Sequence, residues 1–205
     1  MLGPTEIFTF LFVMLGPLKV LGPFATRTRG IDAGRVRKIA VWAFAVASIA
    51  VIGGGFVGRV LLANWRVSPS ALTMAGGVIF FIVALRQLLE QYEPPHAAAA
   101  EPLPDAPLAA ACRLVFPIVL TPYGIAAVIA MLGNSPDSER TATIVGLIML
   151  VMVLNLVAML FARRVLVGIT IIVLQVLGAV LAVLQVALAI QFMLLALRDL
   201  RIIDA

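Results

Sequence analysis

Residues 141–161 read TATIVGLIMLVMVLNLVAMLF, an apolar stretch that contains no charged side chain. A helix needs ~20 apolar residues to cross the hydrocarbon core of a bilayer, and this stretch is long enough. Strands of a membrane β-barrel alternate apolar and polar residues, and this stretch does not alternate. It therefore predicts a transmembrane α-helix.

The composition of the whole chain agrees with a membrane protein. Of the 205 residues, 63% are hydrophobic and 12% are charged, and the mean hydropathy is +1.15. Soluble domains carry about 25% charged residues, which cover their surface. The net charge of +5 comes without a basic surface interleaved with aromatics, so we expect membrane lipid and no nucleic acid as a partner.

Similar apolar stretches lie on both sides of the first one. The six predicted spans are residues 5–25, 39–62, 70–89, 109–132, 141–161 and 165–197. The last is longer than one upright span requires, so it either tilts or follows the interface to about residue 174 and crosses from about residue 176. The fold class predicted is an all-α polytopic membrane protein with six transmembrane helices.

A proline-rich, acidic stretch at residues 90–108 separates two halves. Proline at this density prevents a regular helix, so we expect a solvated linker. The two halves are residues 1–89, with helices 1–3, and residues 109–205, with helices 4–6. Because each half has three helices, the second half enters the membrane in the opposite sense.

Lysine and arginine are distributed unevenly between the two sides of the predicted membrane. One side receives Arg27, Arg29, Arg35, Arg37, Lys38, Arg86, Arg113, Arg163 and Arg164. The other side receives Arg59, Arg66, Arg140, Arg198 and Arg201. The more basic side is expected to be cytoplasmic. The linker is then cytoplasmic and both termini are periplasmic, if the membrane is a bacterial inner membrane.

The two halves also show a weak sequence repeat. Residues 80–89 read FFIVALRQLL and residues 192–201 read FMLLALRDLR, and the first helix of each half contains two prolines. Inverted repeats with broken helices at matching positions are typical of transporters. The alternative is chance similarity between helices rich in leucine and alanine.

Helix 1 contains LGPLKVLGPF at residues 15–24, with Gly-Pro pairs at Gly16-Pro17 and Gly22-Pro23. Proline removes a backbone donor and clashes with the preceding turn. Irregular backbone at membrane depth is tolerated only inside protein or along a wet cavity. The stretch is therefore a candidate substrate site, and a simple proline kink is the alternative.

Lys19 lies within this stretch and is the one charged side chain well inside a predicted span. A charge at this depth costs at least ~2.5 kcal/mol on insertion scales. Two explanations remain open: Lys19 extends to the cytoplasmic interface, or it faces a cavity and attracts an anionic group such as a carboxylate.

Helix 4 contains FPIVLTPYG at residues 116–124, in which Pro117, Pro122 and Gly124 predict a second break. Thr121 and Tyr123 add hydroxyl groups that can bind a polar ligand. Helix 3 contributes a further pair of glycines, for close approach of substrate or for packing alone. The complete set of predicted substrate-binding residues is Gly16, Pro17, Lys19, Gly22, Pro23, Gly76, Gly77, Thr121, Pro122, Tyr123 and Gly124.

The remaining polar residues at membrane depth suggest hydrogen bonds between helices. They are Asn155, Gln175, Gln185 and Gln191. No Asp or Glu lies in the middle of a span, and the one histidine, His96, lies in the linker. We therefore predict no catalytic residue, no metal site, no cofactor and no enzymatic activity.

These motifs resemble the MarC family of membrane proteins, which includes transporters of small neutral amino acids. The family's first helix carries Asn-Pro-x-Gly-x-x-Pro-x-Phe, and Pro17 and Phe24 match it, while Gly16 and Lys19 replace Asn and Gly and the second proline comes one residue late. The family's Ala-Gly-Gly in helix 3 corresponds to residues 75–77.

The family's helix 4 reads Pro-Leu-Leu-Ala-Gly-Pro-Gly-Ala-Ile. Pro117, Pro122 and Ile125 match this pattern, whereas Thr121 and Tyr123 replace its two glycines. The resemblance implies an inner-membrane secondary transporter or exporter of small neutral amino acids or similar metabolites. The alternative is a membrane protein that stabilises or regulates a membrane partner without transport. A homo-oligomer is compatible with either.

Overall fold

The computed structural model describes residues 3–90, 103–135, 137–168 and 171–202, without the side chains of residues 87, 90, 117 and 165–178. The described elements are all helical: α1 (Pro4–Leu15), α2 (Pro17–Arg27), α3 (Ala33–Trp65), α4 (Pro69–Glu90), α5 (Pro107–Leu114), a π-helical turn (Val115–Val119), α6 (Pro122–Gly133), α7 (Ser138–Gly168) and α8 (Ile171–Asp199). The all-helical, polytopic membrane architecture predicted from the sequence is confirmed.

Five described segments are long and apolar enough to cross a membrane. They are Pro4–Arg27, Ala33–Trp65, Pro69–Arg86, Ser138–Arg164 and Ala179–Asp199. The fourth predicted span, residues 109–132, is not one of them, because α5, the π-helical turn and α6 divide it. The division agrees with the break predicted in helix 4, while the six transmembrane helices of the prediction are not confirmed, because the described residues contain five spans and this divided segment.

The first predicted span is broken once. Gly16 has an extended backbone, with φ −79° and ψ 174°, and separates α1 from α2. Pro23 lies inside α2 without ending it. The first Gly-Pro pair therefore interrupts the helix, whereas the second is accommodated within it.

Helices flank the predicted linker on both sides. Helix α4 continues to Glu90, and α5 begins at Pro107, where proline suits the first helical position because its missing N–H has no intrahelical partner there. Residues 91–102, which include His96 and most of the linker prolines, lie outside the described residues, as do the side chains at the start of the sixth predicted span.

The long helices pack mainly across the two halves of the chain. Helix α4 packs along α8, α3 packs on α5, α6 and α7, and α7 packs on α1 and α2. Glycines permit the closest approaches: a Cβ on Gly77 would lie 2.8 Å from Cγ of Met193, and one on Gly55 would lie 2.8 Å from Cγ1 of Val128. These glycines act as packing positions between α4 and α8 and between α3 and α6.

The outer surface of the bundle is apolar, as contact with lipid requires. Exposed large hydrophobic residues occur on every long helix, such as Ile49 on α3, Ile82 on α4, Val157 on α7 and Val183 on α8. The two tryptophans, Trp42 and Trp65, are both exposed on α3 and lie roughly 35 Å apart along its axis. That spacing is close to the ~30 Å of the hydrocarbon core, so they fit the two interfacial regions where tryptophan is enriched.

Polar contacts hold the more basic end of the bundle together. Arg163 of α7 donates to the carbonyl oxygens of Thr28 and Ile31, the latter at 2.7 Å. Arg35 of α3 donates to the carbonyl of Pro104 at 2.8 Å and pairs with Asp105 at 3.2 Å. The loop after α2, the end of the linker and the end of α7 therefore share one end of the molecule, as the predicted helix order requires.

Candidate functional site

The break between α1 and α2 depends on the small size of Gly16. A Cβ at this position would collide with the carbonyl of Phe12, one turn earlier in α1. The extended backbone of Gly16 also leaves the last carbonyl groups of α1 without partners from the following helix. Pro17 then starts α2 at its first position.

Two side chains bond the carbonyl groups that the break leaves free. The ammonium group of Lys19 donates to the carbonyl oxygen of Met14, and the amide nitrogen of Asn155, on α7, donates to that of Leu15 at 2.6 Å. Lys19 is partly buried, and its ammonium group turns back toward α1. It contacts the break instead of extending toward the interface at the end of α2.

The second half of the chain has a break of the same kind. Phe116, Leu120 and Thr121 have extended backbones, with ψ angles of 126°, 114° and 149°. Pro122 then starts α6 at its first position, and the Thr121 hydroxyl accepts a hydrogen bond from the backbone nitrogen of Gly124 at 3.3 Å. Thr121 is thus the N-cap of α6.

The two breaks meet in space although they are far apart in the sequence. The ammonium group of Lys19 lies 3.4 Å from the hydroxyl oxygen of Thr121, a residue 102 positions later. The same ammonium lies 5.4 Å from the centre of the Tyr123 ring, within the range of a cation–π interaction. The first turn of α2 and the first turn of α6 therefore share one site.

Gly124 allows this close approach. A Cβ on Gly124 would lie 2.5 Å from Cδ2 and 3.1 Å from Cγ of Leu15, the last residue of α1. Leu15 is fully buried, so its side chain has little room to move. The contact between the two breaks therefore requires glycine at position 124.

Tyr123 connects the site to α4. Its ring is 2% exposed and stacks on the fully buried ring of Phe80, with the ring centres 4.6 Å apart and an angle of 23° between the planes. Gly76, one turn before Phe80 on α4, lies against α6, where a Cβ added to this glycine would lie 3.4 Å from Cβ of Ala126. Helix α4 thus packs closely along the beginning of α6.

The site contains two helix N-termini and the Lys19 ammonium, and this ammonium bonds a carbonyl at the partly negative C-terminal end of α1. The N-terminus of a helix carries a partial positive charge, and α2 and α6 both begin here beside the Lys19 ammonium. The acidic residues nearest to the breaks in the sequence are Glu6, Asp32, Asp105 and Asp137, all at or beyond helix ends. The sequence thus provides no carboxylate at this depth to neutralise the lysine.

The predicted site residues divide into two groups. Those that converge on the meeting point are Gly16, Pro17, Lys19, Thr121, Pro122, Tyr123 and Gly124. Gly22 and Pro23 lie farther along α2, where Pro23 is exposed and a Cβ on Gly22 would contact nothing within 4 Å. Gly76 and Gly77 are buried in the α4 contacts with α6 and α8.

A cavity of about 570 Å³ opens at the opposite end from the basic loops. Charged and polar residues at helix ends line its mouth: Glu6, Ser70, Thr73, Asn134, Arg140 and Asp199. Apolar residues line its inner part, among them Ala127 of α6 and Phe192 of α8. Ala127 follows Tyr123 by one helical turn, about 6 Å along α6, so the cavity ends close to the site.

Asn155 and Phe80 are two site residues that sequence reasoning did not include. Asn155 was expected to make an interhelical hydrogen bond, which the contact with Leu15 confirms, but its place at the break was not predicted. It is the one polar side chain within residues 144–161, and that isolation was the available signal. Nothing in the sequence distinguishes Phe80 from other aromatic residues of the spans.

Apolar spans and two interrupted helices that meet beside a lysine define a polytopic α-helical membrane protein. The chain matches the model of the family described as "MarC family integral membrane protein" over residues 4–201. It therefore belongs to the MarC family of integral membrane proteins, as its sequence resemblance implied. Comparison with curated proteins and with solved structures gives no match.

Proposed function

We propose that this protein is a secondary transporter or exporter of small amphipathic metabolites that carry a carboxylate, such as small neutral amino acids. The observation that carries the proposal is the meeting of two half-helix N-termini beside Lys19, which bonds across to Thr121. Half-helix N-termini bind the anionic groups of substrates in transporters that have broken helices. A substrate carboxylate would supply the negative charge that the surrounding sequence lacks.

The packing of the two halves supports an inverted repeat. In the first half, α1 and α2 contact α7 of the other half; in the second half, α5 and α6 contact α3 in the same way. Both second half-helices start with proline after an extended residue, at Pro17 and at Pro122. Under this proposal the two half-helix N-termini meet near the middle of the membrane, where alternating access needs a fixed site.

The cavity supports an access route from one side. Its lining includes charged residues at the helix ends and apolar residues such as Ala127, one turn from Tyr123, as expected for an entrance that admits small amphipathic molecules. We propose that the basic end of the bundle faces the cytoplasm of a bacterial inner membrane and that this cavity opens to the periplasm.

A second candidate function is a membrane protein that supports a partner and transports nothing. The contact that favours it is the hydrogen bond from Lys19 to the carbonyl of Met14, which satisfies the broken helix without any ligand. In that case Lys19 is a structural cap of α1. Neither candidate assigns an enzymatic activity to the chain.

Transport assays with purified protein in proteoliposomes separate the two candidates. Wild-type protein should take up labelled alanine or glycine above empty liposomes, and Lys19→Met should reduce the uptake at least tenfold. Arg164→Met is the matched control, because Arg164 is an exposed cation beside Phe161 and far from the breaks. Equal uptake by the wild type and Lys19→Met would remove Lys19 from the mechanism, and no uptake of any small carboxylate would favour the second candidate.

A further inference from the structure

The side-chain amide of Asn155 has a hydrogen-bonded nitrogen and an oxygen without a hydrogen-bond partner among the described residues. Its side chain is 1% exposed, and its nitrogen is committed to the carbonyl of Leu15. Its oxygen is buried and has no hydrogen-bond partner among the residues that the structure describes. The acceptor on Leu15 fixes which end of the amide faces α1, because a carbonyl oxygen cannot bond the amide oxygen.

An unpartnered buried amide oxygen is costly enough to require an explanation. Leaving such an acceptor without a donor costs ~1–3 kcal/mol, and most buried polar groups in native proteins have a partner. Leucine at the same position of α7 would avoid this cost but would leave the Leu15 carbonyl without its donor. The amide nitrogen thus has a structural role, whereas the oxygen has none among the described residues. The polar oxygen is therefore expected to have a role in binding.

The unpartnered oxygen lies at the break. It is within roughly 5 Å of the Leu15 carbonyl oxygen, given the bond lengths of an amide group. The Lys19 ammonium occupies the neighbouring carbonyl, that of Met14. One end of α1 is thus flanked by a cation and by an acceptor without a donor. The Lys19 ammonium repels a free cation that would approach this oxygen. A molecule that carries both a negative group and a hydrogen-bond donor therefore fits best.

We propose that Asn155 determines specificity, its side-chain oxygen accepting an N–H or O–H group of the substrate while Lys19 and the half-helix N-termini hold the carboxylate. The proposal rests on the proposed transport function and narrows its substrate class. The protein would prefer small carboxylates that carry an amino or hydroxyl group over plain carboxylates of the same size. A site with a fixed acceptor rejects an analogue without the donor, because the acceptor is then left unpaired.

The test compares ligands that differ by one group in full-length protein in proteoliposomes. Alanine, lactate and propionate compete with labelled alanine, and alaninamide serves as the analogue without a carboxylate. In the wild type, alanine and lactate should compete at least tenfold better than propionate. This measurement needs no variant, so it decides the proposal even if substitutions at position 155 impair folding.

Variants assign the discrimination to a side chain. In Asn155→Leu, alanine and propionate should compete with labelled alanine about equally well, while the preference for alanine over alaninamide stays at the wild-type level. In Lys19→Met, the preference for alanine over alaninamide should be lost, while the preference for alanine over propionate stays. Gln185→Leu, which removes another buried amide on α8, is the matched control and should change neither preference. Opposite effects of the two variants are not expected if Asn155 only joins α7 to α1.

Three results would overturn the proposal. Equal competition by alanine and propionate in the wild type would show that no donor is recognised, while the transport function would still stand. If Asn155→Leu still prefers alanine to propionate as strongly as the wild type does, another group recognises the donor of the substrate. Sodium-dependent uptake of alanine and propionate alike, lost in Asn155→Leu, would identify the oxygen as a ligand of a coupling cation. Absence of uptake of every carboxylate would instead contradict the proposed function itself.

Discussion

The ammonium nitrogen of Lys19 lies 3.4 Å from the hydroxyl oxygen of Thr121, and this contact joins the two interrupted helices of the protein. Lys19 belongs to the first turn of α2, and Thr121 caps the first turn of α6. Each residue thus lies at the start of the helix that follows a break in its own half of the chain. The contact therefore brings together two helix ends whose partial charges have the same sign as the lysine.

Gly124→Ala should destabilise the protein because the added methyl group meets the buried side chain of Leu15. We expect the free energy of unfolding to fall by about 1–3 kcal/mol, as is usual for overpacking in a tight core. Thermal unfolding of purified protein in detergent measures the change. Gly146→Ala on α7 is the matched control, since a Cβ there would contact nothing within 4 Å; a similar loss of stability in both variants would contradict the close approach at Gly124.

Gly16→Ala should disturb the first break, because the new Cβ collides with the Phe12 carbonyl. We expect a lower unfolding temperature together with loss of transport, since α2 must move away from α1. Gly22→Ala, in the second Gly-Pro pair, has open space around its Cβ and should retain both properties. Loss of transport in Gly22→Ala alone would show that the second pair, not the first, forms the functional break.

Arg163→Ala should loosen the loop after α2, because Arg163 donates to the carbonyl oxygens of Thr28 and Ile31. Two charge-assisted hydrogen bonds to buried or partly buried acceptors suggest a loss of about 1–3 kcal/mol of stability. Hydrogen exchange should increase in residues 28–32. The neighbouring Arg164→Ala removes an exposed cation, and exchange there should stay at the wild-type level; equal effects of both variants would contradict this role of Arg163.

The cavity near α6 should be open to water from one side. With Cys112 replaced by serine, Ala127→Cys should react with a membrane-impermeant thiol reagent added from the side of the chain termini. Ala43→Cys on α3, also buried but outside the lining of this cavity, should not react. Reaction of Ala127→Cys only from the side of the basic loops would reverse the proposed direction of access.

Much of the architecture could be predicted from the sequence because the bilayer imposes a simple rule. Apolar stretches must be helical and long enough to span, so the predicted span of α4 ends within one residue of the observed helix at both ends. The predicted spans of α3 and α7 lie inside helices that extend up to seven residues farther. Gly16-Pro17 and Pro122 indicated the breaks, since proline and glycine disturb helices by local chemistry, whereas Gly124, also predicted at the second break, lies inside α6. The distribution of arginines predicted that the loop around Thr28 and Arg163 lie at the same end of the bundle, and their hydrogen bond confirms this.

Other features required tertiary structure. The two Gly-Pro pairs of helix 1 look alike in sequence, yet only the first ends a helix, because α2 accommodates Pro23 at an exposed position. The direction of the Lys19 side chain was also open, as the partner that holds it is the carbonyl of Met14 and carries no sequence signal. The unpartnered end of Asn155 likewise depends on the packing of α7 against α1.

The central claim is that the meeting point of the breaks binds a small carboxylate, and substrate protection at Thr121 tests it most directly. In the protein with Cys112 replaced by serine, Thr121→Cys is treated with a water-soluble thiol reagent in the presence and absence of alanine. The proposal predicts that the cysteine reacts and that alanine slows the reaction in a saturable manner, while alaninamide does not. A cysteine that never reacts, or that reacts at the same rate with and without alanine, would contradict it.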